Sequence, residues 1–206
     1  ILAERRRKWE QEQLAKFAAA SKTPPKGWQS KYVEPTAPDT TGLPEVPAGW
    51  CWASVEQLCE NFDGVRIPVK AKDRQERQGQ FPYYGASGVI DYVDAYLFDG
   101  TYLLIAEDGA NLLSRSTPIA FQASGKFWVN NHAHVVLPLD GIVMSYVQHY
   151  FNATRFDFVI TGTAQPKLTQ AALNRITLPL PSTAEQMAIA EEVDRRLSIL
   201  DEIEAQ

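Results

Sequence analysis

The sequence predicts an α+β protein, a β-rich globular domain carrying a helix at each end. Three observations predict it. The middle of the chain is a series of short apolar runs punctuated by Gly85, Gly88, Gly100, Gly109 and Gly125, the pattern of strands and tight turns. The first 22 residues are dominated by Glu, Gln, Lys, Arg and Ala, strong helix formers. The last stretch, Leu178-Pro179-Leu180-Pro181-Ser182-Thr183-Ala184-Glu185-Gln186, stops a strand and opens a second helix.

Taken in order, residues 1–22 read as a helix with Leu2, Trp9, Leu14 and Phe17 among polar formers, closed by Pro24-Pro25. Glu4-Arg5-Arg6-Arg7-Lys8 is a solvated face of that helix, or less often a phosphate-contacting arm. Residues 23–42 form a Pro-rich linker in which Trp28 and Tyr32 are expected to pin the chain to a surface. The domain covers 43–181. Ser54 with Gln57 fits the cap of a short helix, and runs at Tyr83-Tyr84, Val89–Val93, Tyr96–Phe98, Thr101–Ala106, Ile119–Phe121, Phe127–Val129 and Ala133–Leu137 read as strands. Helical spacing returns over Ile142–Phe151, followed by a strand near Phe158–Ile160, a short helix capped by Thr169, and a strand at Ile176–Leu178. Residues 182–206 form a stalk helix, opened by Ser182 with Glu185 or by Thr183 with Gln186. Its apolar seam is Ala190, Val193, Leu197, Leu200 and Ile203. That seam needs a partner helix.

Composition bounds the function. Apolar residues make up 45% of 206 and aromatics 11%, ample for a core. The net charge of −5 argues against a nucleic-acid coat but leaves room for a local basic face. Cys51 and Cys59 match no zinc or redox spacing and are expected to be two buried, reduced thiols of a cytoplasmic protein. No apolar window approaches the length of a membrane span. The chain starts without Met and both ends run through helical pattern, as in a piece of a longer protein.

Catalytic patterns are missing. The sequence contains no Asp-x-Lys or Glu-x-Lys, no Gly-x-Ser-x-Gly, and no phosphate loop at Gly85-Ala86-Ser87-Gly88. His132-Ala133-His134 places two imidazoles on one strand face but lacks a third ligand at a fitting spacing. Glu107-Asp108-Gly109 reads first as a turn and second as a cation site. Binding remains. Between Gly64 and Gln80 five cations face two acids, a local excess of three. Arg66, Lys70, Lys72, Arg74 and Arg77, with Lys126, are the candidates for phosphate contact, and Arg115 and Lys167 can extend that face. Candidates for base edges are Ser87, Arg115, Asn130, Asn131 and His132.

Several segments together resemble the specificity subunit of type I restriction–modification systems. They are Leu178-Pro179-Leu180-Pro181 before Glu185-Gln186 and Ile189, Gly162-Thr163-Ala164-Gln165-Pro166-Lys167-Leu168, and Pro47-Ala48-Gly49-Trp50 before Trp52. Three more are Tyr84-Gly85-Ala86-Ser87-Gly88, Glu107-Asp108-Gly109-Ala110-Asn111 and Val129-Asn130-Asn131-His132-Ala133-His134. The resemblance implies one non-catalytic target recognition domain, the second of two or that of a half-length subunit. Such a domain reads half of a split double-stranded DNA site through the major groove. It further implies docking of modification (methyltransferase) subunits, with restriction subunits joining the complex. No cofactor would be bound by this chain: S-adenosylmethionine, ATP and magnesium would belong to those partners. Self-association through the helix seam stays open. The Gln165-Pro166-Lys167 loop is expected to be a hinge between head and stalk or a turn close to DNA. The competing readings are an adaptor whose head binds another protein, and a metal-dependent nuclease.

Overall fold

A computed structural model describes residues 1–162 and 164–204. Thr163 of the Gly162–Leu168 segment, and Ala205 and Gln206 at the end of the stalk range, lie outside the described residues. The first helix, α1 (Leu2–Ala19), buries none of its residues. Its aromatic side meets the linker instead. Trp9 stacks on Trp28 at 5.7 Å and tilts against Tyr32 at 5.3 Å, while Phe17 meets the Trp28 edge at 6.1 Å. Gly27, at φ 76°, opens the short 3₁₀ turn Trp28–Lys31 that presents these rings. Two polar contacts tie α1 to the head: Arg5 donates to the Cys59 carbonyl at 2.9 Å, and Lys8 pairs with Glu60 at 2.8 Å.

The head starts with β1 (Cys51–Ser54), α2 (Val55–Leu58) and β2 (Cys59–Asn61). The Ser54–Gln57 capping box forms as the sequence indicates, with both reciprocal hydrogen bonds present. Next come α3 (Ala71–Gln75), β3 (Gln78–Gly85), β4 (Gly88–Val93), β5 (Phe98–Ala106), α4 (Asn111–Ser114), β6 (Ala120–Val129) and β7 (Ala133–Pro138). The chain closes with α5 (Met144–Ala153), α6 (Gln170–Arg175), β8 (Thr177–Leu180) and α7 (Thr183–Glu204). Six strands form one sheet in the order β2-β7-β5-β6-β3-β4, and β1 pairs with β8 in a second, two-stranded sheet. The main sheet is antiparallel except for β3 and β6, which run parallel through Tyr83↔Trp128 and Tyr84↔Val129.

That sheet is folded over on itself. Tyr84 touches both Phe121, at 5.9 Å, and Phe127, at 5.5 Å. Six residues of straight strand would hold those two rings about 20 Å apart. The fold lies where Gly100 pairs with Gly125, both at positive φ. A side chain at either position would be strained there. Inside the bend Phe98, Tyr102, Phe127 and Tyr84 interlock edge to face and stacked, with Leu104, Val129 and Val135 closing the cluster. A second core lies between the sheet and the helices, where Leu103, Ile105 and Val136 meet Val147, Phe151, Leu173 and Leu178.

The β1–β8 pair brings the two ends of the head together, with Cys51 opposite Leu180. Tyr146 and Tyr150 of α5 donate to the carbonyls of Pro179 and Thr177, and Asn152 clamps the Ile119 and Ala120 amides. The stalk helix starts at this junction. Ser182 and Glu185 form its capping box, and Trp50 donates to Glu185. Gln186 is buried, accepting from Val143 N–H and donating to the Pro181 carbonyl. His149 of α5 lies 2.8 Å from Asp194. Of the seam, Ala190 is buried and Val193 half-buried, whereas Leu197, Leu200 and Ile203 are exposed. The first turns of α7 thus dock on the head and the rest carries an apolar edge outward.

Four local expectations are corrected. Pro179 sits inside β8 rather than ending it, opposite Trp52, because a two-stranded sheet leaves edge positions where no N–H is needed. Phe158 lies in a 3₁₀ turn, Asp157–Val159, and is 83% exposed, so no strand forms there. The basic stretch contains a helix, α3, too short and charged to show a period. Cys59 is buried, its thiol pushed up to about 12 by that burial, but Cys51 is exposed. Both thiols are free. No helix among the described residues is long and apolar enough to cross a membrane.

Candidate nucleic-acid interface

The charged groups of the head sort into three places. The first is a buried knot. Asp63, Glu107 and His134 offer ligand atoms within 4.8 Å of one another, but a protein cation already sits among them. Arg66 donates to Glu107 at 2.7 Å and to the Ala133 carbonyl at 2.6 Å, and lies 3.4 Å from Asp63. Both nitrogens of His134 are engaged, Nδ1 with Asp63 at 2.6 Å and Nε2 with the Leu168 carbonyl at 2.8 Å. Lys167 closes the arrangement, 3.0 Å from Glu107. The three groups could hold an ion only by expelling Arg66. The arrangement is therefore a charge-compensated strut that joins the start of the basic stretch, the end of β5, the start of β7 and the 161–168 loop.

Burial alone would raise the Asp63 carboxyl. Its hydrogen bond and ion pair with His134, the Val135 N–H and Arg66 outweigh that and hold it below its ordinary value. Glu107 is likewise lowered: bonds from Arg66 and Lys167, with the charge of His134, overcome its burial. Both groups have depressed folded-state values. Their contribution to stability is complete above the ordinary carboxylate range, near 4, and is lost as pH falls through the depressed values. The urea midpoint should hold between pH 7 and 5 and drop below about pH 4. Asp63→Asn should flatten that drop, and an unchanged acid limb in this variant would detach Asp63 from it.

The second place is a wall of cations on aromatic rings. Arg74 lies over Tyr83 at 4.8 Å, Arg77 over Trp128 at 4.9 Å, and Lys126 over Tyr96 at 4.7 Å. Arg74 is also committed to Asp91 at 2.7 Å and to the Val69 carbonyl. Arg77 pairs with Asp94 at 2.9 Å and keeps 36% of its side chain exposed. Lys70, Lys72 and Lys126 are exposed.

The third place is a junction of four loops far apart in sequence. The β3–β4 turn carries Ser87 at its exposed tip, and the Asn130 N–H donates to the Tyr84 carbonyl beside it. Gly85 lets the Ile90 side chain close over this turn, since a Cβ there would lie 3.2 Å from it. His132 sets its Nδ1 between the two Asp108 oxygens at 2.9 and 2.8 Å. Asp108 bridges to Lys167, and Gly109 N–H donates to the Pro166 carbonyl. Ser87, Asn131, Gln165 and Lys167 are exposed around His132.

Against the expected sites this is a partial regrouping. Arg66 is turned inward, its side chain 11% exposed, and cannot be a phosphate contact without breaking the knot. Arg115, at φ 53°, donates to the carbonyls of Leu112, Phe151 and Thr154 and acts as a brace between helix ends. Asn130 is buried and spends its oxygen on the His132 N–H. Arg66 and Arg115 leave the expected set because their guanidinium groups are already engaged, and Asn130 because it is buried with its side-chain oxygen taken. The Gln165-Pro166-Lys167 segment belongs to the loop junction of the head, not to a hinge with the stalk. Sequence reasoning misses Asp63 altogether and reads Asp108 as part of a turn or a cation site, not as the partner of His132. Asp63 gives no signal, since its partner is 71 residues away.

Comparison with known proteins now decides the family. The model described as "Type I restriction modification DNA specificity domain" matches residues 47–206. The chain belongs to this family. The chain is 34% identical over 151 residues, 73% of its length, to a Haemophilus influenzae protein named as a type I restriction enzyme specificity subunit. It is 30% identical over 123 residues, 60% of its length, to the Escherichia coli EcoprrI specificity subunit. It spans 38% and 29% of those two relatives. Both are named as specificity subunits. Among solved structures, an HsdS subunit from Thermoanaerobacter tengcongensis shares the fold at a TM-score of 0.58 and 15% identity, over 80% of this chain and 42% of that one. A chain from a type I restriction–modification complex shares it at 0.59 and 15% identity, over 99% of this chain and 51% of that one.

Proposed function

We propose that the specificity domain reads one half of a bipartite DNA site and carries no chemistry of its own. The observation that carries this is the junction of four loops. Its exposed groups, Ser87, Asn131, His132, Gln165 and Lys167, are all able to hydrogen bond, and the ionic knot braces them from behind. A base-reading surface needs polar edges held rigidly, because a wrong base is rejected through bonds that cannot be remade. The Lys70, Lys72, Arg77 and Lys126 side chains supply the phosphate grip, now without Arg66 and with Arg74 as a ring-stacked support. Phosphate contacts set register and bases set specificity, and the major groove distinguishes all four pairs. The exposed outer part of α7 docks the modification subunits and a helix of the second half of the complex, which restriction subunits then join. S-adenosylmethionine, ATP and magnesium enter with those partners. Partnership by self-association through Leu197, Leu200 and Ile203 is the variant for a half-length subunit.

The test uses the full specificity subunit assembled with its modification subunits. Lys70→Ala with Lys72→Ala should weaken binding to all duplexes alike and shallow the logarithmic salt slope by about 0.9 for each phosphate that is no longer neutralised. A double variant with an unchanged slope removes the phosphate role from α3. An assembled complex that shows no preference among duplex sequences overturns the reading and favours an adaptor.

A further inference from the structure

The Asp108–His132 pair lies outside the buried knot. Asp108 makes no side-chain contact with the knot, and its two oxygens are both spent on one imidazole nitrogen. His132 is 46% exposed in its side chain, while its backbone is held at both ends. Its N–H donates to Asn130, and its carbonyl accepts from Glu107 N–H. A carboxylate can only accept, so Nδ1 must carry the hydrogen. In the neutral ring that leaves Nε2 with a lone pair and no proton.

We infer that Asp108 is a positioning residue that fixes His132 as a hydrogen-bond acceptor, and that His132 uses it to read an exocyclic amino group in the major groove, adenine N6 or cytosine N4. The inference rests on the loop junction being the DNA-reading surface. The common base-reading side chains, Arg, Lys, Asn and Gln, are donors or mixed. Lys167 can only donate, and the amides of Asn131 and Gln165 can turn to donate or accept, so an acceptor-only nitrogen at this position selects a base edge that donates and rejects one that accepts. The carboxylate also holds the ring plane, so the acceptor is presented in one direction without the loss of rotamer freedom a lone histidine would suffer.

The experiment uses the full specificity subunit with its modification subunits and begins by mapping methylated sites in cells for the unaltered protein. Ser87→Ala, Asn131→Ala, His132→Ala and Asp108→Ala follow, each checked for an unchanged melting temperature. His132→Ala and Asp108→Ala should relax the same single base position, and Asp108→Glu should restore part of the preference. Duplexes lacking only the amino group at that position, with purine for adenine or a 4-deaminated pyrimidinone for cytosine, should bind the unaltered complex roughly ten- to hundred-fold more weakly. They should bind the His132→Ala complex no more weakly than normal duplex does. Nitrogen-detected NMR of the imidazole should show the Nδ1–H form in the unaltered protein and a shift toward Nε2–H in Asp108→Ala. If all four alanine variants keep the original map, the loop junction does not read DNA and the underlying reading falls. If His132→Ala relaxes a position and Asp108→Ala does not, only the positioning role falls. A loss on 7-deazaguanine in place of the amino-deleted bases would show the ring donating and overturn the acceptor assignment.

Discussion

Arg66→Met is expected to lower stability by about 3–5 kcal/mol, the usual cost of stripping one partner from a buried ion cluster. The substitution keeps the aliphatic stem and removes only the guanidinium. Glu107 then retains Lys167 and Asp63 retains His134, but the Ala133 carbonyl loses its donor and two carboxylates share less positive charge. Glu107→Gln in the same background should recover part of the loss, because the amide demands no counter-charge. A urea denaturation series of the unaltered protein, Arg66→Met, Glu107→Gln and the double variant gives the coupling between the two sites. A loss under about 1 kcal/mol in Arg66→Met would return this arginine to the pool of surface cations.

Phe127→Ala should cost about 3–5 kcal/mol as well, through a cavity rather than a charge. The ring is fully buried, stacked on Phe98 at 5.4 Å, with Tyr84 at 5.5 Å and Tyr102 at 5.9 Å meeting it edge on. Tyr84 pairs across the parallel ladder with Val129, just ahead of the His132 loop, so loss of the ring also loosens the β3–β4 turn against that loop. Calorimetric unfolding should show the full loss in stability. Phe158→Ala serves as the contrast: with 83% of that residue already in solvent, its effect should stay within about 0.5 kcal/mol. Equal effects from the two would mean that the aromatic cluster is not the centre of the fold.

Local chemistry was readable in the sequence. The Ser54–Gln57 and Ser182–Glu185 capping boxes and the Thr169 cap appear where their spacing puts them, because a cap involves only a few neighbouring residues. The mixed α+β class with a helix at each end followed from period and punctuation. Long-range pairing was not readable. Nothing near Tyr83 announces that it runs parallel to Trp128, since β3 and β6 are separated by two strands and a helix along the chain. The same distance hid the role of the cations. Arg66 and Lys70 look alike in a string, and only the arrival of Glu107 and Ala133 decides that the first is buried structure. Neutral polar residues suffered similarly: Asn130 is spent on its own loop, and Asn131, one position on, is exposed.

The seating of α7 has a mechanical consequence. Gln186, Ala190 and the His149–Asp194 contact fasten its first turns to the head, while the described residues beyond Asp194 extend the helix by roughly 15 Å at 1.5 Å per residue. Such a helix is a lever whose fulcrum is the docked stretch from Gln186 to Asp194. A tilt of one degree at that fulcrum displaces the tip by about 0.3 Å over this rise. Whatever grips the outer turns therefore senses the tilt of the head through that docked stretch, and a change there would alter spacing far from any base.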